Sequence, residues 1–237
     1  MRSQEREDGA IDGAIHCKLE GGGHALFTSR AGGNLSTVRG GGRAQGLQAR
    51  EELCEALGLR WLCAGRQVHG TAVQRVRSPR GAGGQALPID ADGHATSGQR
   101  LGMMVLVADC LPVALGSSRA VAMLHAGWRG LAGGVLEEGV RALQELGGEP
   151  EETVAVIGPG AGVCCYEVGE EVHAAFGGGH REGQNIDLRA IARERLLGAG
   201  VARVHEVCVC TICDGRFFSH RREGGRAGRQ AGVAWLS

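Results

Sequence analysis

The sequence predicts a single α+β domain, with mixed β-sheets and flanking helices arranged in layers, and three observations support this. Short apolar runs at residues 103–107, 120–124 and 154–157 have the length of buried strands rather than helices. A longer stretch, 135–146, places Leu136, Val140 and Leu143 on one helical face. The two kinds of segment intermix without a regular strand–helix–strand rhythm, which favours mixed sheets over a wholly parallel one.

Taken in order, residues 1–15 read as a polar, disordered tail and 16–237 as one domain. Residues 24–29 read as a strand running into Arg30, Gly32, Gly33 and Asn34, a turn-rich loop with an arginine at its mouth. The Gly/Arg-rich segment 39–46 reads as a mobile connection. Residues 48–57 read as a helix with Leu53 and Leu57 on one face and Gly58 as its stop. Val68 and Val73 suggest a strand through 67–73, with Gly70 marking a bulge or a close approach. Residues 80–85 read as a loop and 90–93 as a turn. Gly147 ends the helix at 135–146, and the strand 154–157 opens into Gly158, Pro159 and Gly160. Residues 170–176 and 188–197 read as helices, the second with Asp187 as its N-cap. Residues 204–209 and 232–236 complete the strands.

Composition narrows the function classes. Lys plus Arg and Asp plus Glu each total 26 in 237 residues, so charge gives no reason to propose nucleic acid or acidic lipid as a partner. There are 43 glycines and only 5 prolines, without a collagen-like period, which points to many tight turns. The nine cysteines are scattered in a chain too long to need disulfide staples, and they read as reduced thiols of a cytoplasmic protein. No apolar run approaches the ~18 residues of a membrane span. The charged residues 1–8 are followed by no apolar stretch of a secretory signal.

The best functional signal lies at the ends of the two central apolar runs. One leads into Asp109 and Cys110, the other into His125, followed by Gly127, Trp128 and Gly130. A reactive residue at a strand end is held on rigid scaffold yet stays open to a ligand. His69, beside Gly70, joins them. Two imidazoles and a thiolate suit Zn²⁺ with a fourth position open to water or substrate. The alternatives are a buried thiol with two hydrogen-bonded histidines, or a Cys110 nucleophile activated by His125 with an acid such as Asp109 orienting the base. Arg30 is a candidate phosphate ligand, because guanidinium matches phosphate oxygens. Cys208, Cys210 and Cys213 have the Cys-x-Cys and Cys-x-x-Cys spacing of a second metal site, but without matching histidines or a second pair they read first as buried strand thiols. Cys164 and Cys165 are adjacent, so their side chains are expected to diverge. Arg221, Arg222, Arg226 and Arg229 form a basic cluster, read as a solvated face or an aid to binding an anion.

The run A-D-C-L-P-V at 108–113, followed by H-A-G-W-R-G at 125–130, resembles the family once called multicopper polyphenol oxidoreductases or laccases. Its members are described as purine nucleoside phosphorylases with adenosine deaminase activity. Further pieces match in order: Thr28-Ser29-Arg30, Gln67-Val68-His69-Gly70, Asp90-Ala91-Asp92-Gly93, Cys164-Cys165-Tyr166-Glu167-Val168 and Phe217-Phe218-Ser219. The resemblance implies that His69, Cys110 and His125 bind a catalytic zinc, with copper a less favoured metal. It also implies phosphorolysis of adenosine, inosine and methylthioadenosine, together with deamination of adenosine. Small-molecule nucleosides and phosphate are then the partners. Within that reading Arg30 would hold the phosphate, and Asp109 is the nearest candidate acid or base. A true laccase needs several copper centres and many more histidines than these motifs supply. The departures are Arg39-Gly40-Gly41-Gly42-Arg43 in place of a usual Asn-Leu-Gly loop, Gly160-Ala161 in place of Ala-Ile, and His220 in place of tyrosine. The rival readings are a cysteine hydrolase acting on an amide and a metal-binding protein without turnover.

Overall fold

The central strands are continuous apolar runs because both of their faces are covered, as expected of strands inside a layered domain. This computed structural model describes residues 11–38, 42–78 and 89–237. A six-stranded sheet runs in the order β12 (Arg203–Glu206), β9 (Val154–Ile157), β7 (Leu111–Gly116), β8 (Val121–Ala126), β5 (Gly93–Thr96), β4 (Val73–Arg75). A five-stranded sheet runs β1 (Ile15–Lys18), β2 (Gly23–Phe27), β13 (Gln230–Leu236), β6 (Leu101–Val107), β3 (Trp61–Cys63). Both are mixed. In the first the outer pairs β12/β9 and β4/β5 are parallel, in the second only β3/β6, and the remaining pairs are antiparallel. A small hairpin, β10 (Arg181–Glu182) with β11 (Asn185–Ile186), stands apart from both.

Alternation of side chains along each strand assigns the layers. On β8, Ala122, Leu124 and Ala126 join Leu136, Val140 and Leu143 of α3 (Val135–Glu145) and Ile191 and Leu196 of α5 (Leu188–Gly198). Val121 and Met123, on the other face of β8, meet Phe27, Met103, Val105 and Ala234 of the five-stranded sheet. That second sheet turns Met104, Val233 and Trp235 outward onto Leu53 of α1 (Arg43–Ala56). The result is helix, sheet, sheet, helix, the layered α+β domain that the sequence predicts. Gly139 shows how close the layers come, since a Cβ there would stand 2.3 Å from Leu124.

Several elements differ from expectation. α1 begins at Arg43, inside the stretch read as a connection; residues 39–41, and the loop expected at 80–85, lie outside the described residues. The first ten residues of the expected tail also lie outside them, but Ile11 and Ala14 pack on the α1 side of the sheet and β1 begins at Ile15. The strand expected through 67–73 forms only from Val73. The strand expected at 204–209 is β12, Arg203–Glu206. β7 was not anticipated. Pro112 argues against a central strand, yet it sits before the pairing with β9 begins at Val113. Helix α4 (Glu170–Ala175) and α5 form as expected, and the Asp187 side chain accepts from the amides of Arg189 and Ala190. Two short helices, α2 (Trp128–Gly133) and α6 (His220–Glu223), flank the site described next.

Candidate metal centre

Each of the three donors comes from a differently constrained piece of backbone. His125 is the last but one residue of β8 and is only 3 % exposed. Cys110 directly precedes β7, in a tight turn whose Asp109 has φ of 86°. His69 lies in the loop before β4 at φ of 61°, a left-handed conformation that a non-glycine residue adopts only when held there. What holds it is Asp92. The fully buried carboxylate accepts from the amides of Val68 at 3.0 Å, His69 at 2.9 Å and Gly70 at 2.8 Å. It also accepts from His125 Nδ1 at 2.7 Å. One side chain thus fixes the loop carrying His69 and the orientation of the His125 ring, leaving Nε2 of His125 free for a ligand.

The ligand atoms of His69, Cys110 and His125 all lie within 4.8 Å of one another, and Cys110 Sγ is 3.9 Å from His69 Nε2. Zinc–sulfur and zinc–nitrogen bonds in a tetrahedron would separate those two atoms by about 3.6 Å, so the set fits a zinc ion with only a small adjustment. Gly127 makes the convergence sterically feasible: a Cβ there would lie 2.9 Å from His69 Cδ2 and 3.1 Å from Cys110 Sγ. His69 is exposed and Cys110 half-buried, so the point of convergence is open on one side.

The electrostatics of the triad agree with a ligand set. Burial works to raise the Cys110 thiol, but the imidazoles of His125 and His69 override it and bring it down to about 6. Burial works to lower His125, and the Cys110 and Asp92 charges override that, lifting it to about 9. Burial likewise opposes ionisation of Asp92, yet His125 and the amides of Gly70 and Val68 keep its carboxyl below the usual range. Metal ligation needs the thiolate, and these neighbours already favour it.

The other two predicted site residues face elsewhere. Asp109 turns its carboxylate onto the C-terminal segment, where it accepts from Thr211 Oγ1 at 2.7 Å, Ser219 Oγ at 3.1 Å and the Arg221 amide at 2.7 Å. Arg30 pairs with Glu223, donates to the Phe217 carbonyl at 3.2 Å and lies 4.4 Å over the Phe218 ring. Neither is aimed at the three donors by these contacts.

Residues 17–237 match the family described as multi-copper polyphenol oxidoreductase laccase. The chain belongs to this family. A Xylella fastidiosa relative named purine nucleoside phosphorylase is 41 % identical over 224 residues, which cover 86 % of this chain and 84 % of that one. A Pseudomonas aeruginosa protein with the same name is 38 % identical over 79 % of this chain and 78 % of its own. Among solved structures, a Neisseria meningitidis protein of the DUF152 family superposes with a TM-score of 0.81 at 31 % identity, covering 94 % of this chain and 99 % of its own. YlmD from Geobacillus stearothermophilus gives 0.79 at 28 % identity over 98 % of both chains.

Near the three donors stand further residues that the sequence alone passed over or left open. Asp92 was read as part of a turn. Its partners His69 and His125 are remote in sequence, and the only signal was its place in the Asp-Ala-Asp-Gly motif. Arg221 leaves the basic cluster to stack 4.9 Å from the Tyr166 ring. Burial raises the Tyr166 phenol, the nearby Cys110 charge raises it further, and Arg221 opposes both. Arg221 also lines a cavity of about 480 Å³ with Glu167, Val168, Gly169, Glu170 and Gln184. Arg222 is structural by contrast, donating to the carbonyls of Thr211 and Ile212. Two cysteine expectations are corrected. Cys164 and Cys165 do not diverge, because both sulfurs approach Cys213. Cys208, Cys210 and Cys213 are not buried strand thiols: all three lie beyond the end of β12, Cys208 and Cys213 exposed and Cys210 half-buried. No helix among the described residues is long and apolar enough to cross a membrane.

Proposed function

We propose that this protein is a zinc-dependent purine nucleoside phosphorylase acting on adenosine, inosine and methylthioadenosine, with adenosine deaminase activity at the same site. The observation that carries the reading is the convergence of His69, Cys110 and His125 around one open position, in a chain whose relatives bear the name purine nucleoside phosphorylase. His69, Cys110 and His125 would hold the ion. When bound, Zn²⁺ supplies a Lewis acid with one exchangeable position. Asp92 keeps the Nδ1 proton of His125 in place, so that Nε2 faces the site. Gly127 leaves room for the ring of His69 against the sulfur. Tyr166, which feels the Cys110 charge, and Arg221, which stacks on it and lines the cavity, would frame the nucleoside. Arg221 is better placed than Arg30 to take the phosphate, since the Arg30 guanidinium already faces Glu223. Asp109, with both oxygens engaged, positions the turn that presents Cys110 rather than carrying a proton. Holding phosphate in line with the anomeric carbon is the main contribution an arginine could make to phosphorolysis.

A second reading has its own support. Cys110, His125 and Asp92 stand in the order nucleophile, base and orienting acid, and the thiol is brought down to about 6. His69 tells against it, because a cysteine hydrolase has no use for a second imidazole on the same sulfur. Metal analysis with a nucleoside panel separates the two. Inosine should yield hypoxanthine only when phosphate is present, and adenosine should yield inosine without it. Turnover of no nucleoside, or amide hydrolysis in metal-free protein that thiol alkylation stops, would overturn the proposal.

A further inference from the structure

A second group of soft ligands lies away from the triad. The sulfurs of Cys164, Cys165, Cys210 and Cys213 all fall within 4.8 Å of one another. Cys213 Sγ is 3.0 Å from Cys165 Sγ and 3.5 Å from Cys164 Sγ. A tetrahedron of four zinc–sulfur bonds has sulfur–sulfur edges of about 3.8 Å, in the middle of this range. A disulfide needs about 2.05 Å and joins two sulfurs, whereas here one sulfur has two near neighbours and a fourth thiol completes the group.

The backbone around these thiols is shaped to present them. Cys210 and Cys213 form a Cys-x-x-Cys turn in which the Asp214 amide donates to the Cys210 carbonyl at 3.0 Å. The Gly162 amide donates to Cys210 Sγ at 3.3 Å, and the amides of Cys213 and Ile212 bond to the same sulfur. Amides directed at a sulfur stabilise it as a thiolate ligand. The two contributing loops are already in register: Gly160 bridges Cys210, and the Thr211 amide donates to the Gly160 carbonyl at 3.0 Å. Arg189 reaches across both, donating to the carbonyls of Gly160 and Val209. A guanidinium at that junction offsets the negative charge that four thiolates leave around a divalent cation.

We propose that Cys164, Cys165, Cys210 and Cys213 form a tetrathiolate site for a structural Zn²⁺ ion, separate from the His69–Cys110–His125 centre. Four sulfur donors with no oxygen or nitrogen select a thiophilic cation and exclude Mg²⁺ or Ca²⁺. With four protein ligands the ion has no open position, so its role is to fasten. Binding forms four zinc–sulfur bonds and releases to solvent the protons of those thiols still protonated. What it fastens is the turn bearing Thr211, whose hydroxyl holds Asp109 next to Cys110. The site therefore braces the triad from behind.

Two measurements test this. In wild-type protein, alkylation mapped by mass spectrometry should show the four cysteines protected together and modified together only after a strong chelator is added. Zinc analysis should show Cys213→Ser and Cys165→Ser each carrying one equivalent less than wild type, while His69→Ala keeps that equivalent. X-ray absorption on His69→Ala protein should then report four sulfurs at about 2.3 Å. Immediate alkylation of all four without chelator would overturn the proposal. So would a Cys165–Cys213 disulfide that resists alkylation after chelation, or folded serine variants with wild-type zinc content.

Discussion

Among the described residues, two cysteine–histidine groups behave in opposite ways. Cys63, at the end of β3, lies 3.8 Å from Nδ1 of His94 on β5, and both residues are fully buried. There burial prevails: it pushes the Cys63 thiol up to about 12 and His94 down to about 4, against the weak pull of the Asp92 charge. The remaining nitrogen of His94 accepts from the Gly65 amide at 2.9 Å, a bond suited to a neutral ring. Around Cys110 burial is again the largest single influence, yet it is overcome. The difference lies in Asp92, which touches His125 directly, and in the second imidazole of His69 against the same sulfur. A thiol beside a histidine is thus held protonated in one place and drawn toward the thiolate in the other, and the partner on the far side of the ring decides which.

The largest effect that would break this contrast is on turnover. His125→Ala should reduce phosphorolysis to background and remove one equivalent of zinc. His94→Ala should cost about 2–4 kcal/mol of stability through its cavity and lost hydrogen bond while retaining zinc and activity in the folded protein. Chemical denaturation with an activity assay reads both, and an equal loss of activity in folded His94→Ala would end the distinction.

A smaller effect sharpens the role of Asp92. Asp92→Asn keeps the shape of the side chain but removes the charge that orients His125 and gathers the amides of 68–70. Metal affinity at the triad should fall about 10–100-fold in competition with a chelator, with affinity at the Cys164–Cys213 group unchanged. An unaltered triad affinity would show that Asp92 serves the fold alone.

The smallest effect is read on the thiols themselves. A Cys110 thiol at about 6 is protonated below that pH and ionised above it. In metal-free protein its alkylation rate should therefore climb about tenfold between pH 5 and pH 7 and then level off. Cys63 should stay unreactive throughout that interval. A Cys110 rate still rising steeply above pH 8 would contradict the influence assigned to His69 and His125.

How far the sequence made this visible depends on the range of the interaction. The strands ending at Val107 and Ala126 were legible because both faces are buried and their apolar runs are unbroken. Helices α3 and α5 were legible from spacing and the Asp187 cap. β7 was hidden by Pro112 and by small residues, and the 68–72 segment reads like a strand although its amides bond a carboxylate instead of a neighbouring strand. The triad was reached through motif resemblance. Spacing alone left metal, nucleophile and core readings open. The role of Asp92 escaped because its partners lie far apart in the chain, and of the four-cysteine group only the Cys210-x-x-Cys213 half showed as a local spacing, since Cys164 and Cys165 come from a distant segment.

The central claim, that Cys110 is a zinc ligand rather than a nucleophile, is tested most directly by zinc content and inosine phosphorolysis measured together on purified Cys110→Ser protein. A serine hydroxyl is a hard, weak substitute for thiolate. The account predicts that the variant loses one equivalent of zinc relative to wild type and loses turnover with it. Cys110→Ser protein that binds as much zinc as wild type and is nevertheless inactive would contradict it.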